Sequence, residues 1–528
     1  MTSSLIRGRP RRAKAHIRAR VTHVVLGALA GGGWLILPLM TVTARAPVPA
    51  TSTGPVASAA PGPGGTSAAD YVLPLIAVVA AAVLAGYGCL RRVRRSRTRT
   101  TPGPFSGPPP APALSDVERQ ARRALVLADD CVRTSREELS FVAAGCGAAR
   151  AEPFARAVRA AGEETAAAFA VWRRYERGLP EASAARRQAL AGVVERCARA
   201  GRRLDAEAAA LDQTRGLEGP GAGAALEVAR ARARGLVARA VAAHGVLGAL
   251  RERYAPSATD PVTGSVEQAE DRLLFATARL GEAHRAVVAG DGDRAARRLR
   301  AGEGAVAQAE TLVRGVERLA ARLREAAALV PAALTGAEAE LATARQGGSQ
   351  TPLAAGELHA RLAHADGVLA AVREELTGAL PYDPLDALRR ITRAADRLEV
   401  GRSGVLDTAA LLVARTAVRA AEDFVTVHRG AVGPEARARL AEAVRQLRAG
   451  DGPGAAFRAD TAAREARDLA ERDVRAHGNP YTGTGDRVTG LCGAVLGGVL
   501  LAEDPDGGPP ACFGGPGTRA RRRLAPPS

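Results

Sequence analysis

Two stretches, FARAVRAAGEETAAAFAVWRRY (154–175) and LAGVVERCARAGRRLDAEAAAL (190–211), decide the fold. In the first, Phe154, Val158, Ala161, Thr165, Ala168, Trp172 and Tyr175 follow one another in steps of 4, 3, 4, 3, 4 and 3. In the second, Leu190, Val194, Cys197, Gly201, Leu204, Ala208 and Leu211 repeat the same steps. Alternating steps of three and four keep every member on one helix face, as a coiled-coil seam requires. The connection from Gly178 to Ser183 is short, so the two helices should fold back antiparallel. Many seam members are small. The helices can therefore approach closely, but each small residue stabilises by less than the ~1.5–3 kcal/mol of a buried large side chain.

The helical pattern extends outward in both directions. Ser115 and Glu118 have capping-box spacing ahead of an amphipathic run to Val142, and Pro153 suits a first helical turn. After a break at GLEGPGAG (216–223), helices are expected over 224–254, 266–289, 294–330, 353–376, 385–398, 405–429, 434–449 and 454–475. They are separated by Gly, Pro and Asp clusters, the usual helix punctuation. Aromatic residues make up only 3% of the 528-residue chain. A large mixed core normally leans on them, since each buries roughly 150–250 Å². An Ala-, Arg-, Glu- and Leu-rich chain reads instead as long helices packed side by side. The expected class is all-α: a membrane helix, then long antiparallel helical hairpins in a coiled-coil bundle.

The net charge of +19 suggests nucleic acid until its placement is read. Residues 1–46 carry +8, 91–100 carry +6 and 519–523 carry +4, which leaves 101–518 at only +2. The helical body has no basic stripe of the kind a nucleic-acid surface needs, so no nucleic-acid partner is expected. Two of the basic clusters flank apolar segments, where Lys and Arg set membrane orientation. The segment 21–43 follows a basic stretch and precedes Ala44-Arg45-Ala46, so residues 1–46 read as a signal peptide or a first membrane helix. The segment YVLPLIAVVAAAVLAGYGCL (71–90) has 20 residues and no charge, enough to cross a bilayer. Six arginines follow it at once, which places the C-terminal side in the cytoplasm.

The organisation expected from these signals begins with residues 1–46, then an extracytoplasmic linker (47–70), a transmembrane helix (71–90) and a basic, Pro-rich spacer (91–113). A first bundle (114–215) and a second bundle (224–477) follow, and a disordered Gly/Pro-rich tail (478–528) ends the chain. Within that tail, 488–502 is apolar but too short to span comfortably. The expected localisation is the cell membrane, single-pass or two-pass, with the large C-terminal region in the cytoplasm.

A family resemblance adds to this reading. The order of signal-like segment, membrane helix, arginine run and helical body resembles actinobacterial TPM domain-containing membrane proteins. The matching stretches are LSDVERQARRALVLADDCVRTSREELSF from Leu114, YDPLDALRRITRAADRLE from Tyr382, AAEDFVTVHRGAVGPEARARLAEA from Ala420, NPYTG from Asn479 and FGGPGTRARRR from Phe513. The resemblance implies an α/β TPM module outside the membrane, linked to phosphatase-like activity. Here the interval that would hold it is only 47–70, so its acidic metal-binding residues correspond to no position in this chain.

A search for chemistry yields no candidate site. His359 and His364 are five apart, which is wrong for two ligands on one helix face. The pairs Glu137–Glu138, Glu163–Glu164 and Glu374–Glu375 are adjacent on helices, where neighbours do not face each other, and read as solvated faces. No phosphate-loop order and no G-x-S-x-G elbow occurs, and Cys131 and Cys197 have no evident base. The six cysteines show no C-x-x-C spacing, which fits a reducing compartment. The expectation is therefore no catalytic, cofactor-binding or metal-binding residues, no cofactor and no small-molecule substrate. The expected partners are the lipid bilayer and either other proteins or a second copy, met through helix faces. On this reading the chain is an anchored scaffold rather than an enzyme, the alternative being an accessory or degenerate relative of a TPM-domain protein.

Overall fold

A computed structural model of the chain describes residues 113–346, 355–396, 404–450, 454–477 and 512–524. The described residues belong to one compact unit. Every regular element among the described residues is a helix and none is a strand. None of these helices is long and apolar enough to cross a membrane. The segments 1–46, 47–70 and 71–90 lie outside the described residues.

Helices α1 (Leu114–Cys146), α2 (Ala148–Glu176) and α3 (Ser183–Arg215) pack on one another. All seven expected seam residues of α2 are buried. Six of the seven on α3 are buried, while Val194 is half-buried and Val193 takes the core position. The reason is the third helix. Because α3 packs against α1 as well as α2, its apolar stripe must widen, and Val193 and Ala200 join it. Two expected helix starts are corrected. Helix α1 begins at Leu114 without a side-chain cap, and Glu118 instead accepts hydrogen bonds from Arg122 and, at 3.0 Å, from the Tyr175 hydroxyl. Helix α2 begins at Ala148, so Pro153 lies inside it rather than in its first turn.

The next set is α4 (Gly221–Arg253), the short α5 (Pro256–Thr259) with a 3-10 turn at Asp260–Val262, α6 (Ser265–Val288) and α7 (Gly292–Gln346). With 55 residues, α7 is the spine, about 80 Å long at 1.5 Å per residue. The expected stop at Val330 is overridden, and the helix runs through Pro331. Its apolar stripe explains this. Val330, Ala333, Leu334, Ala337, Leu341 and Ala344 stay buried in the same core as Leu358, Leu362, Leu369 and Val372 of α8 (Ala355–Thr377). That continuous burial offsets the local penalty of an interior proline, about 3 kcal/mol.

Helix α9 (Pro384–Asp396) packs on α7, as does α10 (Gly404–Val427), and α10 continues into a hairpin of α11 (Pro434–Ala449) and α12 (Ala455–Ala476). Helix α11 also lies against α1 and α2, with Ala438 in the same core as Trp172 and Leu190. The two expected bundles thus meet through this helix. Arg437, fully buried, fixes the contact. Its Nη1 donates to Asp129 at 2.6 Å and Asp130 at 2.7 Å, and its Nε donates to the Val432 carbonyl at 3.1 Å. The expectation of a structureless tail is corrected over 512–524. Residues 512–515 lie buried against α1 and α3, followed by α13 (Pro516–Leu524). The rest of the tail, including 488–502, lies outside the described residues.

Candidate functional site

The described residues hold two chemically distinctive places: a groove filled by the chain's own tail, and an open cleft. The groove begins with the polar run DDCVRTSREE (129–138) of α1. A four-residue rhythm puts Asp129, Arg133 and Glu137 on one side of the helix and Asp130, Thr134 and Glu138 on another. The first side meets α10 and α11: Arg133 donates to Asp129 at 2.8 Å and to Thr426 at 2.7 Å, and Arg429 donates to Glu137 at 2.7 Å. The second side meets α3, α7 and the tail.

There Arg215 Nη1 donates to Glu138 at 2.5 Å and to Glu303 at 3.0 Å, and its Nη2 donates to Glu303 at 2.5 Å. Arg300 donates to Asp212 at 2.8 Å. Arg522 Nη2, from the tail, donates to both carboxylate oxygens of Asp212, each at 2.7 Å. Three carboxylates and three guanidiniums thus share one node, and the third cation comes from α13. Burial pushes the Glu138 carboxyl up, but Arg215, Arg300, Arg522 and the Phe513 N–H outweigh it and hold it at about 2. At Glu303 burial wins and the carboxyl sits above its ordinary range. The reading of Glu137–Glu138 as a solvated face is therefore wrong. Both are enclosed because helices pack on both sides of α1. Glu164 and Glu375 also face partners, Arg199 and Arg390, from half-buried positions.

The tail contacts are those of a bound peptide. Phe513 is fully buried, edge-on to Phe154 with ring centroids 6.0 Å apart. Its N–H donates to Glu138 at 2.6 Å, and the Gly514 N–H donates to Ser135 at 3.2 Å. Asp205 accepts from the N–H groups of Gly515 (2.9 Å), Gly517 (3.1 Å) and Thr518 (2.8 Å), and from the Thr518 hydroxyl (2.6 Å). A carboxylate from α3 thereby satisfies the free donors at the start of α13 and complements its dipole. The glycines are required by space. Gly514 has φ +127°, and a Cβ on Gly515 would lie 2.2 Å from the Gly201 carbonyl oxygen.

The cleft has a volume of about 760 Å³ and lies among α5–α7, α9, α10 and α12. Its floor includes Leu312, Leu319, Leu385, Val413 and Val427, all buried. Arginines stand along it: Arg318 pairs with Asp423, Arg419 with Glu422 and Arg322 with Glu325, whereas exposed Arg415 and Arg464 have no side-chain partner among the described residues. In its lining, Gln268 Oε1 is buried without a hydrogen bond from any described residue. Also in the lining, burial pushes the His428 imidazole down to about 4, against the pull of the Phe424 carbonyl. His428 stacks on Phe424 with centroids 4.3 Å apart, and Arg467 covers the other ring.

Neither place assembles a nucleophile with a base. Burial raises the Cys131 thiol to about 11 and the Cys197 thiol to about 12, far from thiolate character. His359 and His364 are both exposed on α8, and no group of three His, Cys, Asp or Glu among the described residues could hold a metal ion.

No protein-family model matches the chain, and no solved structure matches it. Two curated relatives, UPF0603 protein MT2410 and UPF0603 protein Rv2345, come from two strains of Mycobacterium tuberculosis. Each is 30% identical over 428 residues, covering 77% of this chain. The match spans 64% of the length of these relatives, so the chain is similar to a part of each.

Proposed function

We propose that this chain is a helical interaction protein, tethered to a membrane by 71–90, whose cytoplasmic bundle seats an acidic amphipathic helix of a partner protein in the α7–α10–α12 cleft. The observation that carries the reading is the cleft itself. It has an apolar floor and open arginines, of which Arg415 and Arg464 lack any partner among the described residues. Apolar contact supplies affinity, while complementary charge supplies register and on-rate. The proposal includes no reaction, and it treats the likeness to TPM-domain membrane proteins as one of architecture.

The test is photocrosslinking from Thr416, half-buried in the cleft wall, in membranes holding the full chain. The expected result is a discrete protein adduct that disappears in the Arg415→Glu/Arg464→Glu variant. An adduct of unchanged yield in that variant contradicts the reading. For the tether, a reporter fused after Ser528 should remain inside the cell and the protein should resist carbonate extraction.

A further inference from the structure

The groove between α1 and α3 is filled by a segment with no short covalent tie to it. Residues 478–511 separate α12 from Cys512, a span of about 110 Å if extended. Helix α12 packs on α10 and α11, whereas the tail touches α1 and α3. One aromatic anchor, backbone N–H groups on two carboxylates, and an arginine paired with Asp212 hold it, as they would hold a free peptide.

Within FGGPGTRARR, residues 513–519 and Arg522 match groove features, while Ala520 and Arg521 are exposed. Phe513 packs edge-on to Phe154 and shares a buried core with Val132, Val158 and Leu204. Pro516 sits on Gly201, where any Cβ would come within 2.7 Å of its ring. Thr518 and the preceding N–H groups cap on Asp205. Arg519 donates to the Asp130 carbonyl and to Thr134, and Arg522 completes the node at Asp212. Without the tail, Glu138, Asp212 and Glu303 face Arg215 and Arg300 among the described residues, and Asp205 adds one more negative charge. The empty groove is therefore acidic and the 519–523 segment carries +4, so the two are complementary.

We propose that the α1–α3 groove is a peptide-recognition site for the C-terminal motif Cys512–Arg522, and that the tail of a second copy of this chain occupies it in exchange for the resident one, linking copies. A long tether holds the resident tail at an effective concentration of millimolar order at most. Crowding of copies on a membrane surface brings neighbouring tails into competition at similar concentrations.

The test uses full-length chains. One variant, Phe513→Ala, has a crippled tail and an intact groove. The other, Asp205→Asn/Asp212→Asn, has a crippled groove and an intact tail. A labelled 511–524 peptide should bind the Phe513→Ala chain saturably, at least tenfold more weakly when Asp205→Asn is added, and at least tenfold more weakly between 50 and 500 mM NaCl. Differently tagged copies of the two variants should co-precipitate when mixed, while neither variant associates with itself. The free peptide should also displace the resident tail of the wild-type chain, read from a fluorophore at the exposed position of Ala520→Cys, so the test survives poor folding of either variant. A peptide that neither binds nor displaces overturns the proposal, as does a mixture of folded complementary variants that stays separate.

Discussion

The tail-filled groove and the open cleft are built from the same materials, arginines and carboxylates on alanine-rich helices, yet they end in opposite states. At the groove's node Glu138, Asp212 and Glu303 each meet an arginine, and the last cation arrives from Arg522. In the cleft Arg415 and Arg464 are left facing solvent above an apolar floor. The difference is enclosure. Glu138, Arg215 and Glu303 are each about 5% exposed or less, so leaving any of them unpaired would cost several kcal/mol. An exposed arginine costs almost nothing to leave open. Charge in the groove is therefore a condition of folding, while charge in the cleft is free to serve recognition.

Substitutions sharpen this contrast, and the largest effect should come from Arg215→Met. It strands Glu138 and Glu303 together in the interior, and removing one partner of such a node costs about 3–5 kcal/mol. Thermal unfolding should show a large fall in Tm. Phe513→Ala comes next. Emptying an aromatic pocket costs about 3–5 kcal/mol in a closed core, but here the tail can leave, so the loss is capped at the free energy of docking. Limited proteolysis should cut the tail well before the bundle.

Two pH effects follow, smaller and in different windows. Glu138 is held at about 2 in the folded chain against an ordinary 4.5. A depressed carboxylate stabilises fully above its ordinary value, and this contribution is lost as pH falls from about 4.5 toward 2. Stability to global unfolding should therefore fall over that range, and fall less steeply in Glu138→Gln. His428 is held at about 4 against 6.5, so the unfolded chain binds the extra proton between these values. Stability should fall as pH drops from about 6.5 to 4, and His428→Phe should remove that component. The smallest effect belongs to Arg415→Met, within about 0.5 kcal/mol, as for ordinary surface substitutions. A large loss of stability there would break the contrast between the two sites.

The helical architecture was legible in the sequence because heptad spacing is a local property. The α2 seam from Phe154 to Tyr175 is buried at every expected position. What a single helix cannot reveal is how many neighbours it has. Val193 replaced Val194 in the core because α3 packs on two helices, and Glu137–Glu138 looked solvated because nothing local announces that α3, α7, α10 and the tail close around them. The missed signal was the density of DDCVRTSREE, which charges two sides of one helix and so demands partners on both. Pro331 misled for the opposite reason, its local veto being overruled by a long buried stripe. The tail motif was read as glycine-rich and hence without structure, although its glycines are where another backbone approaches. Neither site's composition differs from an ordinary charged helix face until the helices are assembled.

The most direct measurement is amide hydrogen exchange of the full chain at Phe513, Gly515, Gly517 and Thr518. The account predicts strong protection at all four, collapsing together in Asp205→Asn, because these N–H groups are held by Glu138 and Asp205. Exchange at the rate of an unstructured chain in the wild-type protein would contradict it.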